Sequence, residues 1–398
     1  MNRKNSYQKT VYACFVGYIV QAIVNNFVPL LFLTFQFQYH IPLSKITMLI
    51  TVNFGLQLLV DLLSVAFVDK IGYRISTIFA HICVVLGLIL LTVLPDILGD
   101  PFWGILLAVF VYAVGGGLLE VLVSPIVEAC PTDNKEKAMS LLHSFYCWGH
   151  VGVVLCSTLF FTWIGIEHWK ILAVLWAVIP ALNAIFFSRV PIIQLNEQEQ
   201  NGLTLKELVR KKLFWIFILI MTCAGACEQS VSQWASVFAE KGLGVSKTIG
   251  DLAGPMMFAV FMGLSRAFYG KYGDKIKLEQ FMIYSGILCI VSYLLISFVP
   301  IPVIGFAGCG LCGLSVGILW PGTFSMASVS VRGGGTAMFA LLALAGDLGC
   351  SLGPGIVGAV SGAFKDNLKM GIFAAVIFPV LLLIGILWNR QIGKADRH

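Results

Sequence analysis

Long apolar runs alternate with short polar breaks along the whole chain. Read between charged positions, about twelve such runs emerge, over roughly 11–35, 46–68, 75–94, 102–128, 138–164, 169–188, 213–238, 249–269, 279–299, 302–327, 333–363 and 370–389. A helix needs ~20 apolar residues to cross a hydrocarbon core ~30 Å thick. Each run therefore predicts one membrane-spanning helix. The first is too long for the hydrophobic region of a signal peptide and lacks a small-residue cleavage site, so it is expected to remain as a helix. The pattern as a whole predicts an all-α polytopic membrane protein with twelve transmembrane helices.

Composition agrees. Of the 398 residues 58% are apolar and 12% charged, against ~45–50% and ~25% in soluble domains. That balance excludes a water-soluble enzyme, a disordered chain and a nucleic-acid-binding module. The net charge of +6 is a topology signal. With the amino terminus taken as cytoplasmic, 20 of the 26 Lys and Arg fall on that side, and only Lys45, Lys170, Lys241, Lys247, Lys365 and Lys369 on the other. Such asymmetry places both termini in the cytoplasm and predicts a multi-pass protein of the cell (inner or plasma) membrane. The longest polar connection, 189–212, lies near mid-chain. It predicts an N-terminal six-helix bundle over 1–190, a cytoplasmic linker over 191–212 and a C-terminal six-helix bundle over 213–398.

The two halves repeat. Asp69-Lys70-Ile71-Gly72-Tyr73-Arg74 follows the second run, and Gly270-Lys271-Tyr272-Gly273-Asp274-Lys275 follows the eighth, with Lys, Gly and the final base in register 201 residues apart. Gly117-Leu118 precedes Pro125 in the fourth run as Gly313-Leu314 precedes Pro321 in the tenth, at the same spacing. Gly152 and Gly353 stand 201 residues apart in runs five and eleven. Six runs per half give both copies one orientation, a parallel repeat. With these motifs the chain resembles the major facilitator superfamily over essentially its full length. The resemblance implies two six-helix bundles around one central site exposed alternately to either side. It also implies a cytoplasmic latch formed by Asp69, Lys70, Gly72 and Arg74, with Lys271, Gly273 and Lys275 as the second copy.

Acids inside the runs carry the candidate chemistry. Glu120, Glu228 and Asp347 lie well within runs four, seven and eleven, with Asp61 and Glu128 nearer the ends, whereas every Lys and Arg is expected at or beyond a run's end. A buried charge costs ~2.5–3.5 kcal/mol on insertion scales. With no cation expected in the core, protonation is the remaining inexpensive route. Glu120, in Gly115-Gly116-Gly117-Leu118-Leu119-Glu120 with Pro125 following, is the leading proton-coupling candidate; the plain alternative is a protonated acid bonded between helices.

This stretch is similar to the fucose-permease branch of sugar–proton symporters. So are Leu142-His143-Ser144-Phe145-Tyr146-Cys147-Trp148-Gly149, Glu228 with Trp234, and Trp320-Pro321-Gly322-Thr323-Phe324-Ser325. The match puts Glu120 in the place of the branch's protonatable glutamate, and His143 and Tyr146 at two amide-bearing substrate positions. The branch pattern of an Asn-Asn pair followed by an acid is only half kept: Asn25-Asn26-Phe27-Val28-Pro29 lacks the acid, so neither the branch's two-carboxylate proton mechanism nor fucose itself as substrate is implied.

A sugar site needs hydroxyl-binding groups and a flat apolar face. Asn25, Asn26, Gln57, His143, Glu228, Gln229 and Asp347 can supply the first; Tyr146, Trp234 and Trp320 the second. Trp234 is equally readable as an interfacial belt residue, the amides as interhelical glue, and His81 and His150 as satisfied core residues. Cys309-Gly310-Leu311-Cys312 reads as small-residue packing. No metal-ligand spacing, phosphate loop or nucleophile–base set appears, so neither an enzyme nor a cofactor is expected. The sequence thus predicts proton-coupled uptake of a small neutral solute by a transporter functional as a monomer. The alternative is proton-driven export of amphipathic compounds. Exporters carry Gly-x-x-x-Gly-Pro in run five, where this chain reads Gly149-His150-Val151-Gly152 without proline; here the Gly-Pro falls in run eleven, as Gly349 to Pro354.

Overall fold

The computed structural model describes residues 3–131, 135–193, 203, 205–331 and 335–395. Among them the regular structure is helical, and twelve helical stretches are long and apolar enough to cross a membrane. Spans 1 to 6 are Tyr7–Tyr39, Leu43–Ser64, Tyr73–Ile97, Pro101–Val127, Leu141–Trp163 and Ile166–Arg189. Spans 7 to 12 are Lys212–Gly242, Lys247–Tyr269, Leu278–Phe298, Pro302–Ser330, Ala340–Ala363 and Leu368–Ile392. The chain divides into two compact units, Met1–Asn196 and Glu197–His398, with a short helix, Leu205–Arg210, leading into span 7.

Each unit repeats one packing scheme. In the first, span 1 packs on spans 4, 5 and 6, span 2 on span 4, and span 3 on spans 4 and 6. In the second, span 7 packs on spans 10, 11 and 12, span 8 on span 10, and span 9 on spans 10 and 12. The motif repeat read from sequence is therefore also a repeat of helix contacts.

Helix ends follow local chemistry. Span 4 starts at Pro101, whose missing N–H is no loss in a first turn, and Asp100 caps it by accepting from Phe102 N at 3.0 Å. Lys45 reaches Asp100 at 2.9 Å, and this ammonium, followed by the Phe102 N–H, holds the Asp100 carboxyl below the usual carboxylate range. Lys170 pairs with Asp96, which also accepts from Tyr39 Oη at 3.2 Å. Lys247 pairs with Asp251 at 3.1 Å and Glu240 at 3.5 Å. Three of the six lysines assigned to the minority side are thus paired locally with acids.

Two spans read as continuous are broken. Span 1 is α-helical to Asn26, passes through a 3-10 turn at Val28–Leu31 and resumes at Phe32–Tyr39. Pro29, with no N–H to give, interrupts the ladder there. Span 10 is helical over Pro302–Val316 and again over Leu319–Ser330, with Pro321 following the break. Span 7 also changes pitch, ending in a π-helical turn at Phe238–Gly242.

The two loop motifs differ in conformation. Gly72 has φ +90°, a region that strains any side chain, while its repeat partner Gly273 is right-handed helical at φ −57°. Arg74 caps the end of span 6, donating to the carbonyls of Phe187 at 2.9 Å and of Ser188 and Val190 at 2.8 Å each. The side chains of Asp69, Lys70 and Lys271 lie outside the described residues.

Candidate functional site

In the first unit the site forms along the antiparallel seam of spans 1 and 4. A Cβ on Gly116 would stand 2.8 Å from Val24, Gln21 donates to Glu120 and Tyr18 Oη bonds Ser124 Oγ, so positions rise on one helix as they fall on the other. The triple glycine makes this approach possible. A Cβ on Gly115 would meet the Ala80 carbonyl of span 3, one on Gly116 Val24 of span 1, and one on Gly117 the Gln57 Cα of span 2 at 3.0 Å. Successive helical residues point ~100° apart, so three glycines admit three neighbouring helices around Glu120.

Five polar side chains join there. Gln21 Nε2 donates to Glu120 Oε2 at 2.8 Å and to Gln57 Oε1 at 3.0 Å. Gln57 Nε2 donates to Asn25 Oδ1 at 2.9 Å, and Asn53 Nδ2 donates to the same oxygen at 3.2 Å. Asn25, Gln57 and Glu120 are thus brought together as one hydrogen-bonded group. Asn26 does not join it; its Nδ2 donates to the Ala22 carbonyl of its own helix at 2.9 Å. His143 lies against the Tyr18 ring, centroids 5.3 Å apart, and is exposed, while Tyr146 is half-buried. His81 is held by the Thr77 carbonyl at 2.7 Å and Asn183 at 2.8 Å, a satisfied core residue.

In the second unit Glu228, only 7% exposed, corrects an expectation. Arg266 lies within span 8 and its Nη2 stands 3.5 Å from Glu228 Oε2, so a cation does enter the spans and this acid is ion-paired. The reach of the arginine stem explains it. Arg266 sits near the end of span 8, and its head group extends inward, donating from Nε to the Gly317 carbonyl at 3.2 Å. Gln229 donates to Glu228 Oε1 at 3.3 Å and accepts from Gln233 at 3.0 Å.

Trp234 is completely buried and donates its indole N–H to the Pro354 carbonyl at 3.0 Å, which excludes the lipid-interface reading. Trp320 is half-buried, packed where a Cβ on Gly346 would be, beside the buried Asp347. Gly225, Gly349 and Gly353 bring spans 7 and 11 into backbone contact. Cys309 and Cys312 are buried free thiols.

Gln21, Asn53, Gln233, Arg266 and the buried Asp251, which accepts from Ser236 Oγ at 2.5 Å, were not singled out from the sequence. The signal for three of them was present. Gln21/Asn25, Asn53/Gln57 and Gln229/Gln233 are amide pairs four apart, the spacing that puts two side chains on one helix face.

Twelve apolar helices in two units with the same internal contacts, each unit carrying a carboxylate among amides within its spans, describe a membrane transporter. The sequence model of the Major Facilitator Superfamily matches residues 13–354, and the chain belongs to that family. No curated protein matches the sequence. Among solved structures it is similar to a variant of the E. coli fucose:proton symporter, at 16% identity and TM-score 0.67, covering 96% of this chain and 99% of that one. A bacterial homologue of the human lysosomal transporter Spinster gives 14% identity and TM-score 0.75, with 98% of each chain covered. A D-xylose–proton symporter gives 13% and 0.74, with 96% of each covered. These likenesses establish the fold.

Proposed function

We propose that the chain is a secondary active transporter that takes up a small neutral polar solute, such as a sugar, together with protons by alternating access. The observation that carries this reading is Glu120, an acid inside span 4 that accepts from Gln21 within a group of four amides and has the three-glycine approach around it. Amides offer donors and acceptors without net charge, which suits hydroxyl groups, and a single carboxyl able to take up a proton supplies the coupling. The symporters of fucose and xylose among the structural neighbours support the solute class.

In the first unit the substrate groups are Asn25, Asn26, Gln57, His143 and Tyr146. In the second they are Glu228, Gln229, Trp234, Trp320 and Asp347. The residues of the loop motifs, Asp69, Lys70, Gly72 and Arg74 with Lys271, Gly273 and Lys275, set the rate of conformational exchange. The linker 191–212 joins the two moving halves in a monomer of the cell membrane, its termini cytoplasmic. The test is uptake into proteoliposomes of a panel of labelled neutral sugars under an inward-directed proton gradient. Accumulation of at least one above its outside concentration, abolished by a protonophore, is the expected result. Accumulation of none, with gradient-driven extrusion of amphipathic compounds instead, overturns the reading.

A further inference from the structure

Gln21 is a buried amide with one end committed and the other unused. Its Nε2 serves two acceptors, Glu120 Oε2 at 2.8 Å and Gln57 Oε1 at 3.0 Å, while its Oε1 is buried without a hydrogen-bond partner among the described residues. The side chain is 2% exposed. A buried acceptor left unmade carries a desolvation penalty of ~1–3 kcal/mol, so a cost is being borne at this one atom. Beside it the wall is a glycine: a Cβ on Gly116 would lie 3.5 Å from Gln21 Oε1 and 3.4 Å from the Gln57 amide carbon.

We propose that Gln21 is a proton-dependent switch that passes the protonation state of Glu120 to the Gln57 and Asn25 amides. This rests on the reading of Glu120 as the coupling acid. An ionised carboxylate only accepts, and the Gln21 amide N–H is what it is offered. When Glu120 takes a proton from the aqueous phase, the new O–H needs an acceptor, and the unused Gln21 oxygen is one on the residue already in contact. Rotation of the terminal amide brings that oxygen to the O–H and satisfies both atoms. The same rotation withdraws the N–H from Gln57 Oε1.

Donation passes from Gln21 to Gln57 and from Gln57 to Asn25, with Asn53 also donating into Asn25 Oδ1. With its donor withdrawn, Gln57 turns its own amide, and Asn25 Oδ1 gives up the Gln57 N–H in exchange for a solute hydroxyl. The sign is therefore proton first, solute second. An amide one turn before Asn25 supplies, without a second charge, the partner that a second acid would otherwise be. Titratable groups on the helices packed against span 4 include Tyr18, Asp61, His81, His143, Tyr146 and His150; of the carboxyls there Asp96 is paired with Lys170, so Asp61→Asn is the control.

The experiment is pH-difference infrared spectroscopy on the purified full chain carrying 13C-labelled glutamine, with no solute present. The wild type is expected to show a protonated-carboxyl band and, over the same pH range, a shift of a buried glutamine amide band. Both should vanish in Glu120→Gln and persist in Asp61→Asn. In Gln21→Met the carboxyl band should remain at a changed frequency and the amide shift should be lost. A carboxyl band that survives in Glu120→Gln defeats the reading of Glu120 itself. A Glu120 band that titrates with no glutamine amide moving in the wild type, or unchanged in Gln21→Met, defeats the switch alone. The wild-type and Glu120→Gln spectra decide the matter even if Gln21→Met does not fold.

Discussion

Arg266 Nε donates to the Gly317 carbonyl at 3.2 Å, and the residue four positions after Gly317, whose N–H would serve that carbonyl in an unbroken helix, is Pro321. Proline leaves the carbonyl open, and the arginine fills the vacancy while its other nitrogen faces Glu228 at 3.5 Å. The break in span 10 and the ion pair are therefore one feature. Breaking a buried pair from one side costs ~3–5 kcal/mol, because the remaining charge is uncompensated. Arg266→Met should lower stability by about that amount in denaturant titration. Adding Glu228→Gln should recover much of the loss. Equal loss in the single and double variants would show that Arg266 acts on Gly317 alone.

Glu120→Gln keeps a group that can both donate and accept toward Gln21 while removing the titration. It should abolish accumulation driven by a pH gradient and leave solute counterflow at symmetrical pH intact. Persisting uphill accumulation would remove Glu120 from coupling.

The glycines separate packing from solute binding. A Cβ on Gly115 would collide with the Ala80 carbonyl, a backbone atom that cannot swing aside, whereas nothing lies within 4 Å of one on Gly152. Overpacking of this kind costs ~1–3 kcal/mol. Gly115→Ala should therefore lower the melting temperature clearly and Gly152→Ala should not, although both glycines stand in apolar spans. Similar effects at the two positions would contradict the packing described.

Trp234→Phe keeps an aromatic ring but removes the N–H that reaches the Pro354 carbonyl at 3.0 Å. The Pro354 carbonyl keeps its helical donor, so the loss should be ~0.5–1.5 kcal/mol, the net worth of one hydrogen bond. A belt residue at a membrane interface would tolerate the change, so a neutral result in thermal unfolding would contradict the burial seen here.

Arg74 makes three bonds to carbonyls at the end of span 6, where a cation also complements the helix dipole. Lysine offers one compact charge in place of the guanidinium fork. Arg74→Lys should lower stability by roughly 1–2 kcal/mol with solute affinity unchanged, the worth of one or two hydrogen bonds to a charged group. Unaltered stability with slowed turnover would assign Arg74 to the rate of exchange alone.

The number of spans and the helical class were determined by the sequence itself, because a membrane crossing is a local requirement: ~20 apolar residues satisfy it wherever their neighbours lie. Glu120 was legible for the same reason, an acid within such a run being costly whatever surrounds it. The loops and the internal repeat could also be read locally, from Gly72 and from the spacing of Gly117 and Gly313 to their prolines. What faces each acid could not. Hydrophobic periodicity is nearly silent in spans that are apolar all round, so the rotation of each helix is set by contacts such as Gly116 on Val24 and Gly225 on Gly346. Only the packed helices decided that Gln21 meets Glu120, that Asn26 turns to its own backbone, and that Arg266 reaches inward to Glu228. The Gln21–Glu120 and Arg266–Glu228 pairings are made across helices from residues far apart in the chain, and the reach of the arginine and the break at Pro321 fix the second.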